Sequence, residues 1–358
     1  MARGNPVVET SARPRDAGAA RDPGRRKPPL LQVKNLRVEF PTRRGLLTAV
    51  NGVSFDIHEG EVLGVVGESG AGKSMTGTAV IGLLEPPGRI GGGEILLAGR
   101  RIDNLPYAEM RRIRGKEIGM VFQDPLTSLN PLYKVGRQLV ETIRTHSDLS
   151  EAAAKARAIE LLAEVGIPAP ERRFEQYPHQ FSGGMRQRVV IALALCANPR
   201  LVIADEPTTA LDVSIQAQII TVLKRLCHEH GAAVMLITHD MGVIAETADR
   251  VAVMYAGRLV EIGPVREVVK NPKHPYTRGL MGSIPVIGQD KERLNQIEGS
   301  MPRLTEIPSG CPFHPRCPEV FDRCPRERPD LLPAGPAQAA CWLYDPQDAP
   351  GRKGGGHG

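Results

Sequence analysis

The segment that most restricts the fold of this 358-residue chain is GESGAGKS at residues 67–74. It follows the apolar run EVLGVV (61–66) and precedes a helical pattern with apolar Met75, Ala79, Val80 and Leu83. Glycines between a strand and a helix let backbone N–H groups converge on phosphate oxygens, and the helix N-terminus adds positive potential. The pattern predicts that a nucleoside triphosphate is bound by Gly67, Glu68, Ser69, Gly70, Ala71, Gly72, Lys73 and Ser74.

Two side chains of this segment have expected roles in the chemistry of the site. We expect Lys73 to reach the β- and γ-phosphates and the Ser74 hydroxyl to bind Mg²⁺. The alternative, a glycine turn that only caps a helix, would not require a lysine and a serine at this spacing.

A second acidic motif, LVIADE at 201–206, ends another apolar run. Asp205 is a candidate Mg²⁺ ligand, directly or through water, because carboxylate oxygens suit this cation. Glu206 would then polarise the attacking water as a general base. Taken alone, the motif could also be two acidic residues that end a strand.

Further along the chain, apolar runs alternate with helical patterns from residue 31 onward. The runs EVLGVVG (61–67), IGMVFQD (118–124), LVIADE (201–206) and AVMLITH (233–239) predict buried strands. A helix is predicted after Asp212 as N-cap, ending at Gly231. This alternation predicts an α/β core with a largely parallel sheet, and the helical pattern between about 126 and 180 predicts an inserted helical subdomain.

Charge and hydropathy restrict the class of protein. No apolar run approaches the length of about 18 residues that spans a bilayer, and the N-terminus lacks the apolar core of a signal peptide. These features indicate a cytosolic chain. The net charge is +6, but residues 1–29 carry seven basic and three acidic side chains. The remainder is nearly neutral, which disfavours a nucleic-acid surface.

Four of the six cysteines cluster near the C-terminus, at Cys311, Cys317, Cys324 and Cys341. Their count fits a [4Fe–4S] cluster, although the spacing alone does not identify one, and the absence of two-residue knuckles weakens a zinc site. Zinc, and free or disulfide-prone thiols, therefore remain alternatives. We expect a structural role, and we expect this Pro-rich segment to lie apart from the sheet that carries the phosphate loop.

The order of the motifs resembles that of the ABC ATPase family. After the phosphate loop come Gln123, the segment HQFSGGMRQRVV with Ser182, Gly183 and Gly184, then Asp205 and Glu206, ALD at 210–212, and His239. The resemblance implies that Gln123 senses Mg²⁺ and the attacking water, that His239 contacts the γ-phosphate, and that Asp212 belongs to the nucleotide site. Met185 departs from the family, where Gln is commoner.

In this family two ATP molecules lie between head-to-tail chains. The resemblance thus implies that Ser182, Gly183 and Gly184 contact the nucleotide of a partner chain. It also places Phe40 where an aromatic stacks on adenine, although Phe40 lies a few residues further from Lys73 than is usual. We therefore expect an inserted loop at 41–46, with a core position in a strand as the alternative role of Phe40.

Three further segments resemble the ATPase subunits of dipeptide and oligopeptide importers, and most of all the first of their two ATPases. They are FQDPLTSLNPLYKVG (122–136), HPYTRGLMGSIP (274–285) and PSGCPFHPRCP (308–318). The implied partners are a second homologous ATPase, two membrane permeases that dock near the segment after Gln123, and an extracytoplasmic substrate-binding protein. The implied location is peripheral, on the cytoplasmic face of the inner membrane, without nucleic acid. The cysteines are implied to hold [4Fe–4S].

The predicted fold class is α/β: a P-loop core sheet, an N-terminal antiparallel β subdomain, a helical subdomain and a small Cys-rich C-terminal extension. The predicted divisions are a disordered basic tail (1–29), the ATPase domain (30–265, with the helical subdomain at about 126–195), the extension (266–344) and a disordered tail (345–358). The predicted function is ATP hydrolysis that drives peptide import. The alternatives are a soluble ABC ATPase, or an importer of nickel, glutathione or sugars.

Overall fold

The apolar runs predicted as strands lie side by side at one end of an eight-stranded sheet. A computed structural model describes residues 28–43, 45–208, 212–282 and 297–347. Along the chain its strands are β1 (Leu31–Thr42), β2 (Gly45–Ile57), β3 (Val62–Val66), β4 (Arg89–Leu97), β5 (Arg100–Arg101), β6 (Ile118–Val121), β7 (Leu201–Asp205), β8 (Ala233–Ile237), β9 (Arg250–Tyr255), β10 (Arg258–Pro264), β11 (Leu332–Ala334) and β12 (Ala337–Ala339).

The helices lie between these strands and, in one long stretch, between β6 and β7. They are α1 (Lys73–Val80), α2 (Tyr107–Ile113), α3 (Pro125–Ser128), α4 (Val135–His146), α5 (Glu151–Glu164), α6 (Pro170–Phe174), α7 (Gly183–Leu195), α8 (Val213–His230), α9 (Met241–Thr247), α10 (Val265–Lys270) and α11 (Pro275–Gly282), with short 3-10 turns at Pro178–Gln180, His314–Arg316 and Trp342–Tyr344.

The large sheet has the order β11-β12-β10-β9-β3-β8-β7-β6. The five adjacent strands β9, β3, β8, β7 and β6 run parallel. Parallel strands are covered on both faces, and successive residues of β7 show this directly. Leu201 and Ile203 belong to one apolar cluster, and Val202 and Ala204 belong to another on the opposite face. The predicted α/β core with a largely parallel sheet is confirmed.

A second sheet of four antiparallel strands has the order β2-β1-β4-β5. It packs onto the large sheet through the cluster that contains Leu31, Leu63 and Ile203. The loop predicted at 41–46 is wrong, because Pro41 pairs with Leu46 and Thr42 with Gly45. The extra residues lengthen the β1–β2 hairpin, in which added residues gain cross-strand pairs rather than form an open loop.

Helices α3 to α7 occupy residues 125–195, where no described residue lies in a strand. Apolar side chains of α4, α5 and α7 meet in one cluster, with Leu139, Ala158, Leu161 and Val189 fully buried. Helix α8 begins after Asp212 and ends at Gly231, whose left-handed φ of 68° stops it as predicted. Helix α1 ends at Val80, so Leu83 lies beyond it and is partly exposed.

The C-terminal extension does not lie apart from the phosphate-loop sheet, as we expected from its Pro-rich sequence. Strand β12 pairs with β10 through Glu261–Ala339 and Ile262–Gln338, and β11 extends the same sheet. Three-residue strands are too short for a clear sequence signal, and their pairing depends on a partner far along the chain.

The predicted tails fall largely outside the described residues, which begin at residue 28 and end at 347. Asp345, which the prediction placed in the C-terminal tail, is described. Its carboxylate accepts a hydrogen bond from Arg323 Nη1 at 3.0 Å.

Candidate active site

The phosphate loop connects the buried strand β3 to α1, with Gly72 as the N-cap. Gly67 and Gly72 have φ angles of 154° and 97°, a region that favours glycine. Space also demands glycine here. A Cβ atom at Gly67 would collide with the Met254 carbonyl oxygen, and one at Gly72 would lie 2.9 Å from the Ala49 carbonyl oxygen. The glycines thus let the loop fold tightly against the neighbouring backbone at the start of α1.

Lys73 is buried and folds back over its own loop. Its Nζ donates hydrogen bonds to the carbonyl oxygens of Gly67 at 2.8 Å and Glu68 at 3.2 Å. Burial lowers the pKa of Lys73, while the carboxylates of Glu206, Asp205 and Glu68 oppose that shift. An ammonium held among backbone carbonyls is ready to exchange them for phosphate oxygens, which bind it through charge-assisted hydrogen bonds.

Ser74 and Asp205 meet across the gap between α1 and β7. The Ser74 hydroxyl donates to Asp205 Oδ1 at 2.9 Å. Burial raises the pKa of Asp205, and the Ser74 hydrogen bond opposes the shift. A serine hydroxyl and a carboxylate at this separation are hard oxygen donors that fit Mg²⁺, with the remaining positions left for water and phosphate.

Glu206 lies one residue beyond β7 and contacts two other residues that were predicted to belong to the site. Gln123 Nε2 donates to Glu206 Oε2 at 3.1 Å, and His239 Nδ1 lies 3.6 Å from Glu206 Oε1. The strands β6, β7 and β8 end at one edge of the sheet, so the residues that follow them converge there, as in other open parallel sheets. Glu206 has a φ of 43°, which is uncommon for a non-glycine residue, and its N–H donates to the Ile237 carbonyl at 2.9 Å.

Ser182, Gly183 and Gly184 lie in a different part of the molecule, at the start of α7. Ser182 is the N-cap, and its hydroxyl accepts the Met185 N–H at 3.4 Å. A Cβ atom at Gly184 would lie 2.8 Å from Ile215 of α8, so this glycine allows α7 and α8 to pack closely. The Ser182 hydroxyl thus bonds within its own helix and not with the loop at 67–74.

Asp212 and Phe40 are the remaining predicted site residues. Asp212 is exposed and caps α8 without a side-chain hydrogen bond, while Ala210 and Leu211 lie outside the described residues. Phe40 lies on β1 and is only partly buried, and its ring contacts the backbone at Gly88, where an added Cβ would lie 2.7 Å from Cε1. Phe40 also packs against the apolar cluster that contains Leu31 and Leu63.

The extension also contacts the phosphate loop, through two residues that sequence patterns did not single out. Tyr276 Oη accepts the Glu68 N–H at 2.9 Å, and Arg316 Nη1 lies 3.1 Å from Glu68 Oε1. Arg316 is 248 positions from Glu68 in the chain, so no local pattern connects them. The motifs HPYTRG around Tyr276 and PSGCPFHPRCP around Arg316 were the available signals, and they indicated a family rather than a contact.

The four C-terminal cysteines line one small cavity of about 10 Å³, together with His274, Phe313 and Trp342 among others. All four thiols are unpaired. Burial raises the pKa of Cys317 to about 11 and of Cys341 to about 12. A cavity of this size holds about one water molecule. Within the described part of the chain, no three His, Cys, Asp or Glu side chains form a group that could hold a metal ion. The cysteines converge, but as placed they do not fit a cluster.

The described helices include no membrane span. None in residues 28–43, 45–208, 212–282 or 297–347 is both long and apolar enough to cross a bilayer.

Comparison with known proteins agrees with this geometry. Residues 50–209 match the family described as "ABC transporter", and residues 260–324 match "Oligopeptide/dipeptide transporter, C-terminal region". The chain is 50% identical over 324 residues to the oligopeptide transport ATP-binding protein OppD of Bacillus subtilis (strain 168), covering 90% of each chain. It is 50% identical over 295 residues to OppD of Escherichia coli (strain K12), covering 82% of this chain and 87% of that protein.

Solved structures give the same result for the fold. The dimeric structure of MJ0796, a bacterial ABC transporter cassette, superimposes with a TM-score of 0.60 at 30% identity, covering 66% of this chain and 99% of that one. A post-hydrolysis dimer of the same cassette, bound to ADP and Pi, has the same TM-score and coverage. The chain therefore belongs to the ABC transporter ATPases, in the group that includes the oligopeptide and dipeptide transport ATP-binding proteins.

Proposed function

We propose that this chain is the ATP-binding subunit of a peptide importer, in which it binds and hydrolyses ATP to drive uptake of dipeptides or oligopeptides. The observation that carries the proposal is the convergence of Gln123, Glu206 and His239 beside the Ser74–Asp205 pair and Lys73. The close relatives named for oligopeptide transport supply the substrate class. ATP hydrolysis that is stimulated by peptide in the assembled complex tests the proposal.

Each group of the site has a distinct task. Lys73 and the backbone N–H groups of the loop bind the phosphates, while Ser74, Asp205 and Gln123 hold Mg²⁺, which would neutralise phosphate charge. Glu206 orients the attacking water and accepts its proton, because its carboxylate lies beside Gln123 and His239 where the strands end. His239 is 63% exposed, which leaves its ring available to the γ-phosphate. Phe40, which is only partly buried, stacks on adenine.

The second half of each site comes from a partner. Ser182, Gly183 and Gly184 start α7, so their N–H groups offer an anion site at a helix N-terminus. We propose that a second, homologous ATPase is bound head to tail, so that these groups and Asp212 approach the partner's nucleotide. The similarity to a dimeric cassette supports this arrangement.

Ser182→Arg is expected to block closure of the dimer while leaving nucleotide affinity of the isolated chain unchanged, because the new side chain fills the space of the partner's phosphate. Equilibrium binding of MgADP to the isolated chain and ATP turnover of the complex check this. Weaker binding to the isolated chain would show that Ser182 acts on its own chain's nucleotide.

The proposed complex includes two membrane permeases and an extracytoplasmic substrate-binding protein, with this chain bound peripherally at the cytoplasmic face of the inner membrane. Leu126, Leu132 and Tyr133 are exposed in the segment after Gln123, and Leu132 is 80% exposed. Apolar side chains displayed beside the catalytic cluster suit a docking surface for the permeases. Co-purification with the permeases in detergent distinguishes this complex from a soluble ATPase. Transport assays with nickel, glutathione and sugars test the other substrate classes.

We propose the same divisions of the chain as the sequence indicates. The ATPase domain spans 30–265, with the helical subdomain at about 126–195, and the extension spans 266–344. The tails at 1–29 and 345–358 flank them. The continuity of helices α3 to α7 supports the helical division, and limited proteolysis tests all of them.

The cysteine segment is proposed to hold a [4Fe–4S] cluster with a structural role, on the support that Cys311, Cys317, Cys324 and Cys341 converge on one cavity. Binding would require the thiols to lose their protons and to move apart, since metals bind thiolates. Anaerobically purified protein is expected to contain about four irons per chain, and Cys317→Ser is expected to lose them. One zinc per chain would replace the iron assignment, and four freely alkylatable thiols in active complex would contradict any metal.

A further inference from the structure

Glu68 is an acidic residue in the second position of the phosphate loop, and it has a specific partner in the C-terminal extension. Arg316 Nη1 lies 3.1 Å from Glu68 Oε1 and 3.2 Å from Oε2. The Arg316 side chain is 8% exposed and that of Glu68 is 28% exposed. Because the pair is largely shielded from water, its attraction is screened much less than that of a surface ion pair.

The same loop residue is held a second time through its backbone. The Glu68 N–H donates to Tyr276 Oη at 2.9 Å. Tyr276 is fully buried, and its ring packs edge-on against Tyr255 at 4.7 Å between centroids and lies 5.4 Å from Phe313. A buried tyrosine with a satisfied hydroxyl is a rigid attachment point.

Arg316 is held in place by contacts with neighbouring groups. Arg316 Nε donates to the Glu298 carbonyl at 2.9 Å, and Nη1 lies 3.4 Å from Tyr255 Oη. Arg316 also ends the short turn His314–Arg316, between Cys311 and Cys317. Arg316 therefore reaches Glu68 from a defined position rather than as a flexible surface side chain.

Tyr276 is fixed by a separate chain of hydrogen bonds. Its N–H donates to His274 Nδ1 at 3.1 Å, and the His274 N–H donates to Glu261 Oε2 at 2.8 Å. Glu261 lies on β10, which is the strand that pairs with β12 of the extension. The position of Tyr276 thus depends on how the extension joins the sheet.

The charge of Glu68 makes these contacts relevant to nucleotide binding. Lys73, the phosphate-binding lysine, donates to the Glu68 carbonyl at 3.2 Å, so Glu68 lies beside the space for the triphosphate. An uncompensated carboxylate there would repel phosphate oxygens and attract the Lys73 ammonium. Arg316 supplies the opposite charge, with Nη1 at 3.1 Å from Glu68 Oε1.

We propose that Arg316 is a positioning residue for nucleotide binding: it neutralises and anchors Glu68, so that the C-terminal extension sets the affinity of the phosphate loop for ATP. Tyr276 assists by fixing the Glu68 backbone. The inference rests on the proposed function, in which this loop binds ATP, and adds that the extension regulates that same site.

The test measures binding of MgADP to the full-length chain and steady-state ATP turnover of the complex. R316Q is expected to weaken MgADP binding about tenfold, because a shielded carboxylate loses its charged partner. The KM for MgATP should rise by a similar factor while kcat stays near that of the parent, since uniform binding is lost and not the chemistry. R316K, which keeps the charge but loses the hydrogen bonds of Nε and Nη2 to backbone carbonyls at 297–299, should lie within about threefold of the parent.

Two further variants separate charge from folding. The double variant E68Q/R316Q is expected to bind MgADP more tightly than R316Q, because the repelling carboxylate is gone. R323Q is the matched control, since Arg323 contacts Asp345 and Trp342 within the extension. R323Q should bind MgADP as the parent does.

Parental affinity in R316Q would overturn the inference, and so would an equal loss in R323Q or R316K, or no recovery in E68Q/R316Q. Failure of the proposed function has a different signature, because the parent chain itself would then not bind MgADP. Should R316Q not fold, E68Q alone decides the question: loss of the repelling carboxylate is expected to leave MgADP binding at least as tight as in the parent, and weaker binding would overturn the inference.

Discussion

Glu206→Gln is expected to retain nucleotide binding and to lower ATP turnover of the assembled complex by a hundredfold or more, about the contribution of a general base. Gln has nearly the same shape, so the contact of 3.1 Å with Gln123 can persist in altered form. An amide, however, accepts no proton from the attacking water. The ATP-bound dimer should therefore accumulate in its closed state.

The measurements are turnover of the complex, nucleotide affinity of the chain, and retention of unhydrolysed ATP in the isolated complex. Glu229→Gln is the matched control, because Glu229 lies on the surface of α8 and pairs with Arg225. Turnover close to that of the parent would remove Glu206 from its proposed role and point to another base.

Lys73→Ala is expected to act at an earlier step, by weakening nucleotide binding itself. The variant loses a charge-assisted contact to phosphate and also the two hydrogen bonds from Nζ to the carbonyls of Gly67 and Glu68. Affinity should fall by about 10- to 100-fold, the range of a hydrogen bond to a charged group. At low ATP, turnover should fall with it.

Calorimetric titration with MgADP measures this effect without hydrolysis. Lys224→Ala is the control, since Lys224 on α8 donates to the Glu246 carbonyl, away from the loop. Unchanged affinity in Lys73→Ala would mean that the loop binds phosphate through backbone groups alone.

Local patterns predicted the catalytic half of this molecule well, because its elements carry local signals. The buried strands β3, β6, β7 and β8 are short apolar runs, and the residue spacing of the glycine loop is typical of phosphate binding. Parallel strands end at one edge of a sheet, so the residues that follow β6, β7 and β8 lie close together there. The contacts of Glu206 with Gln123 and His239 are examples.

The extension was harder to predict, because its structure depends on distant partners. Strands β11 and β12 have three residues each and are ordered by pairing with β10. The Glu68–Arg316 pair joins residues 248 positions apart, and periodicity carries no information about such a pair. The β1–β2 hairpin shows the same limit, since extra residues at 41–46 are equally compatible with a loop and with longer strands.

Peptide uptake into proteoliposomes tests the central claim most directly. The complex of this chain with its second ATPase, the two permeases and the binding protein is reconstituted with ATP on the side of this chain. Accumulation of a labelled oligopeptide and ATP hydrolysis are measured together. Both are expected to depend on the presence of this chain, and peptide-loaded binding protein is expected to raise hydrolysis. Uptake that proceeds equally well without this chain, or ATP hydrolysis with no peptide uptake by the intact complex, would contradict it.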